Sequence, residues 1–63
     1  MNNLKKAIEQ KNIREVDLAK YLKISPQRLN NWTRGKNYPG IKYMKLISEY
    51  LNKSIKKLFF EED

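Results

Sequence analysis

Within Ile24–Lys36, which reads ISPQRLNNWTRGK, four residues capable of directed hydrogen bonding fall in a run of five: Gln27, Arg28, Asn30 and Asn31. Amides offer paired donors and acceptors, and a guanidinium offers a fork of donors, but none of the four is an acid or base near neutral pH. Their chemistry is recognition rather than bond-making. The rest of the chain agrees. It has no histidine, and so lacks the commonest general base and metal ligand, and no cysteine, which excludes disulfides and thiolate metal sites. Ser25, Ser48 and Ser54 have no histidine to activate them, and the carboxylates are scattered or gathered in the last three residues. No enzyme, no metal and no cofactor is expected. The bland alternative for the run is a solvated helix face.

Charge narrows the choice of ligand. Fourteen Lys and Arg stand against seven Asp and Glu, a net +7. With the acidic tail Glu61–Asp63 set aside, the same fourteen cations face only four carboxylates. Such a surface suits a polyanion, either nucleic acid or an anionic membrane, or else serves solubility alone. Membrane binding is the poorer reading, because the lysines are spread over several segments whose apolar faces the core needs. The longest apolar run is Leu58-Phe59-Phe60, far short of the roughly 20 residues that span a bilayer. No apolar stretch follows the lysines of MNNLKK, so no signal peptide is visible and a cytoplasmic protein is expected.

Sixty-three residues imply one domain, residues 1–63 with the acidic tail 61–63, and a small core, since a chain this size buries only about 60% of its unfolded surface. The pattern predicts five short helices. Leu4, Ala7 and Ile8 form one apolar face, with Asn2 or Asn3 to cap it, and Lys11-Asn12 turns the chain before an inward Ile13. A second helix covers about Arg14–Leu22 on Leu18, Ala19 and Leu22, with Val16 at one edge. Ser25-Pro26 starts a third, since serine caps well and proline suits the first helical position. Leu29 and Trp32 turn that helix inward, and Gly35 stands where a closing glycine belongs. After the loop Asn37–Gly40 a fourth helix runs over about Ile41–Leu51, with Ile41, Met44, Ile47 and Leu51 facing in. Ser54 caps a last short helix carrying Ile55, Leu58 and Phe59. The expected fold is a compact all-α bundle with no competing strand pattern.

VDLAKYLKISPQRLNNWTRGKNYP resembles the helix-turn-helix of the phage repressor and Cro type, the XRE family, in the spacing of Leu18, Ala19, Leu22, Ile24, Ser25, Leu29, Trp32, Gly35, Lys36 and Pro39. The likeness continues into the fourth helix and KSIKKLF beyond it, so it covers nearly the whole chain. It implies a lambda-repressor-like DNA-binding domain whose third helix lies in the major groove, its N-terminal residues reaching base edges. Gln27, Arg28 and Asn31 are then the base readers, since amides pair bidentately with adenine and arginine with guanine. Asn30 lies nearer the groove edge. Backbone or edge contacts fall to Arg14, Ser25, Arg34, Lys36, Asn37 and Tyr38, although Ser25 also serves as a cap, Arg34 as a partner for helix-end carbonyls, and Tyr38 as packing on Pro39. Trp32 reads as core.

Departures from the family pattern gather at the head of the second helix. Many relatives carry Thr or Ser followed by Gln there; this chain has Arg14 and Glu15. Glu15 repels phosphate unless it pairs with Arg14 or accepts from a cytosine amine. Pro26 and Thr33 stand where a polar residue and a Glu are common.

The expected function is a sequence-specific, double-stranded DNA-binding transcription regulator on a palindromic operator, acting as a homodimer formed in solution or only on DNA. Leu58–Phe60 supplies the dimer contact, or else Leu58 and Phe59 finish the core and Phe60 frays with the tail. No residues remain for a sensor domain, so a Cro-type or stand-alone regulator is the form expected; an origin in a phage or mobile element is implied by the resemblance alone. The rival is a module of the same fold that binds protein, as an anti-repressor, an adaptor or an antitoxin-like partner.

Overall fold

Four helices in succession are closed by the same device. A residue with positive φ ends each: Asn12 (56°), Lys23 (60°), Gly35 (73°) and Asn52 (54°). Each is followed by an amide that reaches back five residues to a helix carbonyl: Ile13 to Ile8 at 3.2 Å, Ile24 to Ala19 at 3.1 Å, Lys36 to Asn31 at 2.9 Å and Lys53 to Ser48 at 3.2 Å. This is the left-handed closure that satisfies carbonyls orphaned at helix ends. It makes the connections short and sets the reversals of the chain.

The computed structural model describes residues 2–61. It contains α1 (Leu4–Gln10), α2 (Glu15–Leu22), α3 (Pro26–Thr33), α4 (Ile41–Leu51) and a closing π-helical turn, α5 (Lys56–Phe60). Met1, Glu62 and Asp63, and with them most of the acidic tail, lie outside the described residues. The bundle is all-α and of five short helices, as the periodicity predicts. α2 packs on α3 and α4, while α1 packs on α3 and α5. Leu4, Leu18, Leu29, Ile47, Leu51, Leu58 and Phe59 are the large side chains sealed at the centre, so every helix contributes to one core.

The N-terminal asparagines divide the capping expected of them. Asn2 accepts from the Leu4 amide through Oδ1 at 3.0 Å and donates through Nδ2 to the Trp32 carbonyl at 3.0 Å, which ties the chain start to the last turn of α3. Asn3, at the N-cap position of α1, turns its side chain to α5 instead. Its Nδ2 donates to the carbonyls of Lys57 (3.0 Å) and Glu61 (2.8 Å), and its backbone amide donates to the Leu58 carbonyl at 2.9 Å. The widened turn of α5 thus has its carbonyls met from another helix, while Ser54 Oγ accepts from the Lys57 amide at 3.2 Å at its start.

One inward assignment is corrected. Ile41 is 63% exposed, because it sits in the first turn of α4, beyond the layer that covers Met44, Ile47 and Leu51. Val16 is also exposed, at the rim of the α2 face. Ile13 and Ile55 pack on the core while staying half-buried.

Candidate nucleic-acid interface

α3 is held by its apolar side and its first turn. Leu29 and Trp32 are buried, and so is Thr33, whose hydroxyl donates to the Asn30 carbonyl at 3.0 Å. At the N-terminus Ser25 has extended backbone, and its Oγ accepts from the Arg28 amide at 3.1 Å. Pro26 fills the first position and has no N–H to satisfy. With the Arg28 amide capped, the Gln27 N–H is the first-turn donor that the helix itself does not consume. The serine is therefore a cap, whatever else its hydroxyl touches.

The remaining face carries the four polar residues, in two different states. Gln27 Nε2 donates to Asn31 Oδ1 at 3.1 Å, one turn along the helix. Gln27 is exposed and Asn31 half-buried. Arg28 bends away from this pair. Its guanidinium lies 5.5 Å from the ring centre of Trp32 and 5.1 Å from that of Tyr43 on α4. The two rings are themselves 5.5 Å apart, tilted by 47°. Arg28 is thus stowed against two aromatic rings. Asn30 is half-buried, beside the anchored side.

Flanking cations come from both ends of the α2–α3 unit. Arg34, Lys36 and Asn37 are exposed on the segment closed by Gly35, and the Lys36 amide is fixed by the Asn31 carbonyl. Arg34 caps the C-terminal end of α3 with its own amide bonded to the Asn30 carbonyl at 3.0 Å, and its side chain is exposed. Arg14, at the head of α2, forms a fork on Asp17 at 2.9 and 3.2 Å. The pairing considered for it, with Glu15, is not the one adopted: adjacent residues diverge on a helix, and residues three apart meet. The hydrogen bond from Arg14 holds the Asp17 carboxyl below its ordinary range, and the same contact raises the guanidinium. Tyr38 packs its ring against Phe59 and Phe60, with centres 6.4 and 6.1 Å away.

Gln27, Asn31 and Arg28 are thus presented by one short helix, and Ser25, Lys36 and Asn37 by the segments that bound it. Tyr43 escapes sequence reasoning. It lies off the apolar stripe of α4, and only the tertiary approach of α4 to α3 gives it the arginine and the tryptophan as neighbours.

α2, the three-residue connection Lys23–Ser25 and α3 make two short helices with the second anchored by its apolar side and offering its polar side outward. The family model described as helix-turn-helix matches residues 4–58, from the first residue of α1 into α5. The chain belongs to the helix-turn-helix family. Its domain is of the XRE/Cro type and spans most of the chain, and its function is helix-turn-helix DNA binding in transcriptional regulation. No curated protein matches the chain significantly. Among the described residues no group of three or more acidic, histidine or cysteine side chains is placed to hold a metal, and no helix is long and apolar enough to cross a membrane.

Proposed function

We propose that this helix-turn-helix protein is a sequence-specific regulator of the Cro/repressor type, without catalytic activity and working in the cytoplasm. It binds a palindromic operator as a dimer, with α3 of each copy in the major groove. The observation that carries the reading is the outer face of α3: a coupled Gln27–Asn31 pair and an arginine, on a helix fixed by Leu29 and Trp32. A protein-binding variant of the fold would favour an apolar or acidic face there. Ser25, Arg34, Lys36, Asn37 and Tyr38 serve phosphates or the groove edge, Asn30 the edge, and Arg14 a phosphate once it leaves Asp17.

Dimerisation follows from the size of the interface. One small module discriminates by only about 1–3 kcal/mol per base pair, and two copies on half-sites about 34 Å apart roughly double the total. Phe60 is 62% exposed beside Tyr38, and the pair is an aromatic surface that a second copy would cover. Leu58 and Phe59 are buried in the monomer and belong to its core.

Selection of binding sites from a random double-stranded DNA pool tests this reading. An inverted repeat is expected, with enrichment lost at one position of each half-site in Gln27→Ala. A single half-site would keep the base reading and remove the dimer. Binding that is steeply salt-dependent and indifferent to sequence would reduce the interaction to phosphate contacts, and would assign the α3 face to a protein partner.

A further inference from the structure

The hydrogen bond from Gln27 to Asn31 limits what Gln27 can still offer. A free glutamine amide has two N–H donors and one carbonyl acceptor. Donation to Asn31 Oδ1 at 3.1 Å uses one N–H. With the N–H that points away from Oε1 engaged, the other donor and the acceptor Oε1 remain side by side on a planar group. In the major groove adenine presents N7, an acceptor, next to the N6 amino donor, which is the matching pair; guanine presents two acceptors, N7 and O6. Guanine in the same place would set its O6 against Oε1. Cytosine and thymine each offer only a single polar group there.

Asn31 sits one turn farther along α3 than Gln27 and is the more buried of the two. Its carbonyl is turned back along the helix to accept from Gln27. Its backbone is fixed as well, since its own C=O accepts from the Lys36 amide at 2.9 Å in the closure of α3. Gln27 stands in the first turn, at the end that approaches base edges in this docking geometry. The two amides therefore differ in role.

We propose that Gln27 reads an adenine and that Asn31 is a positioning residue, which fixes the orientation of the Gln27 amide and thereby sets adenine over guanine at that base pair. The inference rests on the reading of the chain as a sequence-specific DNA binder. It divides labour within a face where both residues otherwise count as independent readers. Without Asn31 the Gln27 amide is free to rotate and present both N–H groups to guanine, so discrimination weakens at the base pair Gln27 touches and nowhere else.

The test uses the full chain and the operator recovered from the pool, with affinities measured by fluorescence anisotropy. Each adenine is replaced in turn by guanine and by 7-deazaadenine, which lacks the N7 acceptor. For the unaltered protein, one adenine per half-site is expected to be sensitive to both replacements, with a preference over guanine of about 5- to 150-fold, the range of a good bidentate contact. In Gln27→Ala that sensitivity disappears. In Asn31→Ala the adenine-to-guanine ratio falls toward one at the same base pair, and Asn31→Asp, which keeps an acceptor, restores the ratio even where its charge lowers overall affinity. The proposal is overturned if Asn31→Ala relaxes a different base pair, if the adenine preference survives intact in that variant, or if the base pair lost in Gln27→Ala carries guanine. The deazaadenine series on the unaltered protein needs no variant to fold, and insensitivity at every adenine overturns the proposal alone. An operator recovered together with such insensitivity leaves sequence-specific binding standing, whereas a pool without any enriched sequence removes both.

Discussion

Where base contact draws Arg28 off its two rings, the departure has a cost that follows from the cation–π contacts it gives up. A guanidinium within about 6 Å of an aromatic centre gains about 0.5–1 kcal/mol at an exposed site. Arg28 is exposed and satisfies this distance for both Trp32 and Tyr43. One charge shared between two rings does not collect twice the energy, so about 1 kcal/mol is a reasonable total. A bidentate contact with guanine returns about 1–3 kcal/mol. Release therefore consumes a third or more of the gain, and the arginine acts as a reader of reduced strength. Tyr43→Leu removes one ring while keeping apolar bulk, and should tighten binding about two-fold per half-site, or about five-fold for a dimer on the whole operator, by halving the release cost in each copy. The same change weakens the Trp32–Tyr43 packing and should lower the melting temperature by several degrees, because a ring pair is worth about 0.5–1.5 kcal/mol. Affinity and stability are thus expected to move in opposite directions. The chain has a single tryptophan, Trp32, so its emission reports directly on the departure of the guanidinium. The assay is anisotropy of the operator duplex with tryptophan emission followed in parallel. If emission is unchanged on operator binding and Tyr43→Leu binds no more tightly, Arg28 stays stowed in the complex and the reasoning is refuted.

Further outcomes are expected from the elements that hold α3. Ser25→Ala removes the acceptor of the Arg28 amide and should cost about 1 kcal/mol, seen calorimetrically as a melting temperature lower by about 4–8 °C for a domain this small. Gly35→Ala places a side chain at a φ of 73°, which costs about 1–2 kcal/mol and strains the closure that fixes Lys36; both melting and operator affinity should fall, whereas an unchanged melting temperature would mean that the segment relaxes out of the left-handed region. The Asp17 carboxyl is held below its ordinary value by Arg14, so its contribution to stability is present above that value and lost as pH falls through the depressed one. Urea midpoints of the unaltered chain and Asp17→Asn should run parallel above about pH 5 and converge at lower pH. A gap that instead widens on acidification would show that Asp17 is not stabilised in its charged form.

The features that the sequence discloses are those written in local spacing. Ser25-Pro26 marks the start of α3 because cap and first position are adjacent in the chain, and Gly35 marks its end because the closure spans five residues. The buried sides of α1, α2 and α3 follow from a period of 3.6, which assigns each side chain a direction. A direction is not yet a neighbour. Ile41 is expected on the inward stripe of α4 and meets solvent, since none of the described residues covers that first turn. Asn3 looks like a cap and spends its side chain on carbonyls more than fifty residues away, in a turn whose widening no local signal announces. Arg14 has acidic residues at one and three places along the chain, and helical geometry decides for Asp17.

The same distinction separates the two halves of the candidate reading face. The Gln27–Asn31 contact is an i, i+4 pair within one helix, so its state is set by α3 alone and was within reach of spacing rules. The state of Arg28 depends on Tyr43, which α4 delivers, and no run of residues around Arg28 contains that information. It follows that the two readers respond to different mutations. Changes that leave α3 intact but shift α4 against it should alter the contribution of Arg28 while the amide pair keeps its orientation. Sequence preference would then change at one base pair through Tyr43, a residue of α4 outside the polar face of α3, and the adenine assigned to Gln27 would stay as it was.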